Sequence, residues 1–139
     1  MGERIAENYL KGKGYQILDR NFVFRIPGSP QKGEIDIIVQ KGDLISFIEV
    51  KTLIRRVYRG LTSVISPEER VDFAKQRKLR LAAESWLMAK RIPLNSKWQI
   101  DVIAIEIENG KPPHQSLDTA RDGTGQAKIS HFENAVSYC

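Results

Sequence analysis

Asp36, Glu49 and Lys51 are the residues whose types and spacing come nearest to a reactive site. Two carboxylates held close together repel each other, and a divalent cation between them relieves that repulsion. A site with few oxygen ligands suits Mg²⁺, which keeps several waters and accepts a phosphate oxygen as a further ligand. Such a cation polarises the phosphate and activates a bound water, while Lys51 could steady that water or the developing negative charge. The pattern therefore points to metal-assisted hydrolysis of a phosphate ester.

These three side chains meet only if the stretch from Gly33 to Lys51 folds as a β-hairpin. In GEIDIIVQ, apolar and polar residues alternate with the period of two that is typical of a half-buried strand. A Gly-Asp dipeptide then supplies the turn, and a second β-rich run ends at Lys51. Glu49 and Lys51 are two residues apart and share a strand face, and the turn brings Asp36 near them. The simpler alternative is that all three are surface charges of edge strands, with Lys51 in a salt bridge.

Three residues outside the hairpin are candidates to complete the site. Glu3 begins a predicted helix and could face the cleft as a further ligand for the metal or its water; alternatively, it is a first-turn acid that stabilises the helix dipole. Lys75 falls on the apolar stripe of a later helix, where it could reach a phosphate or a site carboxylate, or could extend past the core edge into solvent. Gln76 is adjacent and could also reach the site.

Basic residues follow the hairpin directly. Arg55, Arg56 and Arg59 surround a tyrosine, and arginine beside an aromatic ring suits phosphate contact and base stacking. The alternative is a solvated loop, and the two interpretations are compatible because a loop can become ordered on nucleic acid. Together with Lys75 and Lys78 of the later helix, these arginines are predicted to contact phosphates.

The elements that position these residues follow from periodicity and from the residues that end or cap helices. A serine-proline pair followed by two glutamates is a capping box that predicts the start of the long helix. The predicted order is a helix over 3–10, a strand over 15–26, the hairpin, an irregular basic stretch over 53–67, a helix over 66–90, a strand over 98–108, an exposed loop over 111–128 and, over 129–136, an edge strand or short final element.

Three further polar residues are assigned to structure. Asp101 is predicted to be a buried partner for an arginine or lysine, or a simple polar residue at a strand end. His114 and His131 lack the partner spacing of a zinc site and are interpreted as surface or strand residues.

Length, charge and cysteine content set broad limits. The chain has 139 residues and a formal net charge of +5, which favours a polyanionic partner, nucleic acid ahead of a membrane surface. Its one cysteine, Cys139, excludes an internal disulfide and fits a reducing compartment, so a cytoplasmic location is expected. Neither an apolar run of membrane-spanning length nor a signal-peptide core is apparent in the sequence.

Six stretches in order carry a resemblance that spans nearly the whole chain: GERIAENYLKGKGYQILDRN, GEIDIIV, FIEVKT, KQRKLRLAAESWL, QIDVIAI and ISHFENAV. By these stretches the chain resembles the YraN-type family of small endonuclease-like proteins. That family is similar to archaeal Holliday junction resolvases and belongs to the PD-(D/E)XK nuclease superfamily. The resemblance implies an α/β fold of restriction-endonuclease-like type, a mixed β-sheet flanked by helices, in one domain over residues 1–139.

The resemblance also implies roles for individual residues. Asp36, Glu49 and Lys51 match the metal-binding and catalytic positions of the superfamily. Mg²⁺ or Mn²⁺ would be held by the two acids, with the carbonyl of Val50 as a further candidate ligand. Glu3 matches the first-helix glutamate of the resolvases.

Gln76, with Lys75, matches a helix position that supports the site in the superfamily. Two positions depart from the pattern: Leu53 stands where a basic residue is usual, and Ile35 stands where the superfamily name has proline. Both departures touch substrate contacts or local turn shape more than the metal site.

The sequence thus predicts a metal-dependent endonuclease that acts on nucleic acid, with DNA, including branched DNA, as the expected partner. Resolvase-like cleavage of two strands would call for a homodimer. Two alternatives remain open: a nucleic-acid-binding module of the same fold without catalysis, and a protein-interaction scaffold whose basic surface meets an acidic partner.

Overall fold

The computed structural model describes residues 2–58, 61–62, 73–109 and 127–136. Within these ranges the chain forms two helices and six strands: α1 (Gly2–Gly12), β1 (Gln16–Arg25), β2 (Lys32–Lys41), β3 (Leu44–Tyr58), β4 (Leu61–Thr62), α2 (Phe73–Ala89), β5 (Trp98–Asn109) and β6 (Lys128–Phe132). Neither of these helices is long and apolar enough to span a bilayer.

The strands form one mixed sheet in the order β1-β2-β3-β5-β6, with the two-residue β4 paired to the end of β3. β1, β2 and β3 are an antiparallel meander, β3 and β5 run parallel, and β6 returns antiparallel at the edge. Parallel neighbours require a crossover, and α2 lies in the connection between β3 and β5. The predicted mixed sheet flanked by helices is therefore confirmed.

Each face of the sheet is covered by one helix. The α1 face is built around Ile5, Ala6 and Leu10 of the helix, which pack on sheet residues that include Ile37 and Ile48. The α2 face has its own apolar cluster, formed mainly by α2, β2, β3 and β5: Ile35, Ile38, Ile45, Phe47, Leu79, Ala82, Ala83, Trp86, Leu87, Ile100, Val102 and Val136. The site described below lies at the edge of this second cluster.

The prediction that β2 is half-buried is wrong. Ile37, Ile38 and Val39 are consecutive and are all essentially inaccessible to solvent, because one helix covers each face of the strand. A strand enclosed in this way reads as a continuous apolar run, and the segment IDIIV carries that pattern with Asp36 as its exception.

The prediction that residues 53–67 are irregular is also wrong at its start. β3 continues to Tyr58, because β5 offers it a parallel partner as far as the pair Arg56 and Asn109. The predicted capping box at 66–69 lies outside the described residues. So does most of the predicted loop at 111–128, but Lys128 already belongs to β6.

The β2–β3 hairpin opens just before the candidate site. Its ladder runs from Lys41 and Leu44 to Ile37 and Ile48. Beyond that pair, the Val50 N–H donates to the carboxylate Oδ2 of Asp36 at 2.8 Å instead of to a backbone carbonyl of β2. A side chain thus takes over the ladder hydrogen bond, and the space between the diverging strands becomes a cleft.

Candidate active site

A cleft of about 410 Å³ lies between the start of β2, the middle of β3 and the N-terminal part of α2. Gly33 and the first described turns of α2 are part of its lining. Its charged lining holds three acids and three lysines: Glu34, Asp36, Glu49, Lys32, Lys75 and Lys78. Acids and lysines that line one cleft are an arrangement that can hold a cation and a phosphate together.

Glu49 is the most enclosed acid of the cleft, with 6% of its surface exposed. Its Oε1 lies 3.2 Å from Lys51 Nζ and 2.7 Å from Lys75 Nζ. A buried carboxylate is costly unless it is paired, and the two ammonium groups provide that pairing. Because Lys75 comes from α2, this contact joins the helix to the central strand.

Asp36 is half-buried and lines the same cleft. Burial is the main effect that raises its pKa, to about 7, and the nearby acids Glu49, Glu3 and Glu34 raise it further, while the hydrogen bond from Val50 opposes the rise. A carboxylate that resists ionisation among other acids is relieved by a divalent cation. The donors are hard oxygens, so the residues present fit Mg²⁺ or Mn²⁺.

The two lysines on Glu49 differ in their readiness to lose a proton. Burial, together with a hydrogen bond from Lys75, lowers the pKa of Lys51. Burial also works against the charge on Lys75, but hydrogen bonds to Glu49 and Lys51 raise its pKa overall. Of the two amines, Lys51 is therefore the one that gives up its proton more readily.

The structure thus brings together Asp36, Glu49, Lys51 and Lys75, and Lys78 lines the same cleft. Glu3 is an exposed residue at the start of α1, but its charge is near enough to act on Asp36.

The other predicted residues lie around this group or beyond the described side chains. Gln76 is half-buried on α2, next to Lys75. Arg55 and Arg56 lie on the β3 backbone, paired with Glu108 and Asn109 of β5, and their side chains are outside the described part of the structure. Arg59 is outside the described residues altogether.

Sequence reasoning missed Lys32 and left Glu34 without a role, although both line the cleft. They flank Gly33 at the start of β2, and a charged pair on either side of a glycine before the acidic strand was the available signal.

A second cluster of polar residues lies at β5 and β6. Asp101 is fully buried, and its partner is His131, whose Nε2 donates to Asp101 Oδ2 at 2.8 Å. The predicted lysine or arginine partner for Asp101 is therefore wrong. His131 is a strand residue of β6, one of the two alternatives predicted for it, and its side chain is 9% exposed. With Glu133, these residues form a group that could hold a metal ion.

The sheet order, the parallel β3–β5 pair and a helix on each face define an α/β fold of restriction-endonuclease-like type. The acidic cleft lies at the fork of its central hairpin. Within this class, the chain belongs to the uncharacterised protein family UPF0102, whose family model matches residues 2–105. The resemblance to the YraN-type family is thereby confirmed.

Relatives of this family match the chain over most of its length. A UPF0102 protein of Clostridium tetani is 43% identical over 109 residues, which cover 78% of this chain and 79% of the relative. A UPF0102 protein of Alkaliphilus oremlandii is 35% identical over 137 residues, covering 97% of this chain and 93% of the relative. One from Vibrio campbellii is 36% identical over 136 residues, covering 97% and 88%.

Proposed function

We propose that this protein is a metal-dependent endonuclease that hydrolyses phosphodiester bonds in DNA. The observation that carries the proposal is the cleft in which Asp36 and Glu49 lie with three lysines, where Glu49 is bridged by Lys51 and Lys75. Two acids in a cleft that faces a polyanion would repel it unless a cation joined them. A module that merely binds DNA has no use for such acids.

Asp36 and Glu49 are the residues that would hold Mg²⁺ or Mn²⁺, with the Val50 carbonyl as a further candidate ligand. The bound cation would supply Lewis acidity toward the phosphate and a more acidic water. This assignment is supported by the hydrogen bond that orients Asp36 toward Val50 and by the two lysines that contact Glu49.

Lys51 is the proposed proton-handling group, because its pKa is lowered and it lies beside Glu49. In its neutral form it can accept a proton from the attacking water, and in its charged form it can stabilise the charge that develops on the phosphate. Lys75 and Lys78 of α2 and Lys32 of β2 line the cleft. They are the proposed contacts for phosphate oxygens of the bound DNA strand.

The first prediction tests this assignment by substitution. Asp36→Asn keeps a carbonyl oxygen for the Val50 N–H, so the fold is retained while a charged ligand is lost. We expect Asp36→Asn and Lys51→Ala each to lower cleavage by at least about a hundredfold. The measurement is cleavage of linear, flap, gapped and four-way DNA, with Mg²⁺, with Mn²⁺ and with EDTA.

The matched control is Asp43→Asn, which removes an exposed acid at the hairpin turn that pairs only with Lys97 among the described residues. It should cleave like the wild type. Full cleavage by Asp36→Asn would contradict the proposal. Tight binding of DNA without cleavage under any metal would favour the silent binding module, and absence of both would favour the interaction scaffold.

A further inference from the structure

We propose that Asp101, His131 and Glu133 form a second metal site, which takes Zn²⁺ or a similar divalent transition ion. One ligand atom from each residue lies within 4.8 Å of those of the other two. Asp101 is fully buried, the His131 side chain is 9% exposed, and Glu133 is exposed. The group is thus anchored in the interior by Asp101 and open to solvent beside Glu133, which gives an ion a way in.

Each of the three residues has a partner that fixes its orientation. Asp101 Oδ1 accepts a hydrogen bond from the Asn134 N–H at 2.9 Å. The Tyr9 hydroxyl lies 3.4 Å from His131 Nδ1, and the Tyr15 hydroxyl donates to Glu133 Oε1 at 3.5 Å. Metal ligands in proteins are oriented by such outer hydrogen bonds, typically with one ring nitrogen of histidine on the metal and the other on a polar group.

The donor set selects the kind of ion. An imidazole nitrogen with two carboxylates suits Zn²⁺ and its neighbours, whereas Mg²⁺ and Ca²⁺ prefer oxygen alone. Ligands of a tetrahedral zinc at about 2.1 Å are about 3.4 Å apart. The present Asp101–His131 contact of 2.8 Å would therefore widen by about 0.6 Å, which small side-chain rotations can supply. His131 Nε2 would bind the ion without its proton, with the ring proton carried by Nδ1, where the Tyr9 hydroxyl can accept it.

This site is independent of the cleft because it lies on the other face of the sheet. Asp101 pairs in register with Ile48, which packs in the α1-face cluster, as does Ile103, two residues further along β5. Glu49 is in register with Val102, which packs in the α2-face cluster. A metal held by His131 and Glu133 would clip β6 and the turn after it to β5.

The experiment is a calorimetric titration of the full chain with Zn²⁺, followed by the visible absorption of the Co²⁺ form. With Mg²⁺ in excess to occupy the cleft, we expect one equivalent of Zn²⁺ to bind the wild type, and His131→Asn and Glu133→Gln to weaken binding by at least about tenfold. Glu133 is exposed, so its variant stays folded and keeps the test decisive even if His131→Asn does not fold.

The chain has two histidines and one cysteine, which supply matched controls. His114→Asn and Cys139→Ser should bind Zn²⁺ like the wild type, and so should Asp36→Asn, which disables the cleft instead. Absence of zinc binding by the wild type would overturn the proposal. So would binding that survives Glu133→Gln, or binding that is lost in His114→Asn or Cys139→Ser.

Discussion

Asp36 combines two roles that pull in opposite directions. Its carboxylate replaces a ladder partner for the Val50 N–H, which favours the ionised form, while burial and the surrounding acids favour the protonated form. Burial dominates, and the pKa of Asp36 lies near 7. Near neutral pH without a cation, this carboxyl group is therefore far more protonated than an ordinary aspartate.

The pH dependence of stability follows from this raised pKa. Between about pH 4, where an unfolded aspartate ionises, and about pH 7, the folded protein keeps a proton that the unfolded chain has lost. Stability from this group is therefore fully present below about pH 4 and falls as pH rises to about 7. The same deprotonation frees Asp36 for a metal, so metal affinity should rise over this range.

The second prediction is that Asp36→Asn is more stable than the wild type at pH 8 in EDTA, by about 1–2 kcal/mol after allowance for solvent screening. At pH 4 the two proteins should have nearly equal free energies of unfolding. Urea unfolding at the two pH values measures the difference. If the free energies of unfolding of the two proteins differed by the same amount at both pH values, the pKa of Asp36 would not be raised in the folded protein.

At the scale of elements, the close approach of α2 to β2 shapes the cleft. Gly33 is buried, and a Cβ added there would lie 2.6 Å from the Lys78 carbonyl oxygen. This oxygen belongs to the helix backbone, so it cannot move away unless the helix moves. The missing side chain lets the helix carrying Lys75 come down beside Glu49. The glycine is thus a packing requirement of the site.

The third prediction concerns this contact. Gly33→Ala should destabilise the fold by about 1–3 kcal/mol, because helix and strand must separate to admit the methyl group. Urea unfolding measures the loss. Gly12→Ala is the control: it meets no atom within 4 Å among the described residues and should be neutral or slightly stabilising. Equal effects of the two substitutions would contradict the packing argument.

Secondary-structure elements were predictable from the sequence where local pattern determines them. They were not predictable where their burial or length depends on a partner that is distant in the chain. The turn before Leu44 and the strand over 98–108 were readable from sequence, and both are confirmed. The burial of Ile38 could not be predicted from the sequence, since it requires knowing that helices cover both faces of the sheet. The extension of β3 to Tyr58 could not be predicted either, because its pairing partner, β5, lies far along the chain.

At the scale of the whole molecule, the site depends on contacts that no local spacing encodes. Spacing along a hairpin suggested that Asp36 and Glu49 meet, and family resemblance added their roles. The pairing of Asp101 with His131 joins two residues that are 30 positions apart in the chain, so neither residue carries a sequence signal for the other. The roles proposed for the cleft residues stay predictions until they are measured.

Charge distribution gives the fourth prediction. With a net charge of +5 and lysines around the cleft, DNA affinity should fall steeply with salt concentration. Lys78→Ala should reduce the slope of log affinity against log salt by about one, since it removes one phosphate contact. Fluorescence anisotropy over a salt series measures the slope.

Lys97→Ala is the control for this slope, because Lys97 is an exposed lysine paired with Asp43 at the hairpin turn and does not line the cleft. Its slope should match that of the wild type. A salt slope near zero for the wild type would argue against phosphate binding by this surface.

The crossover through α2 also fixes when the cleft can assemble during translation. Asp36 and Glu49 leave the ribosome first, Lys75 follows, and the parallel neighbour of β3 comes last. Until β5 has been synthesised, Glu49 lacks the parallel strand beside it, and the α2-face cluster lacks Ile100 and Val102. A nascent chain that stops short of Asn109 therefore carries the acids without the complete sheet that surrounds them. The charged residues of the cleft reach their final arrangement late in synthesis.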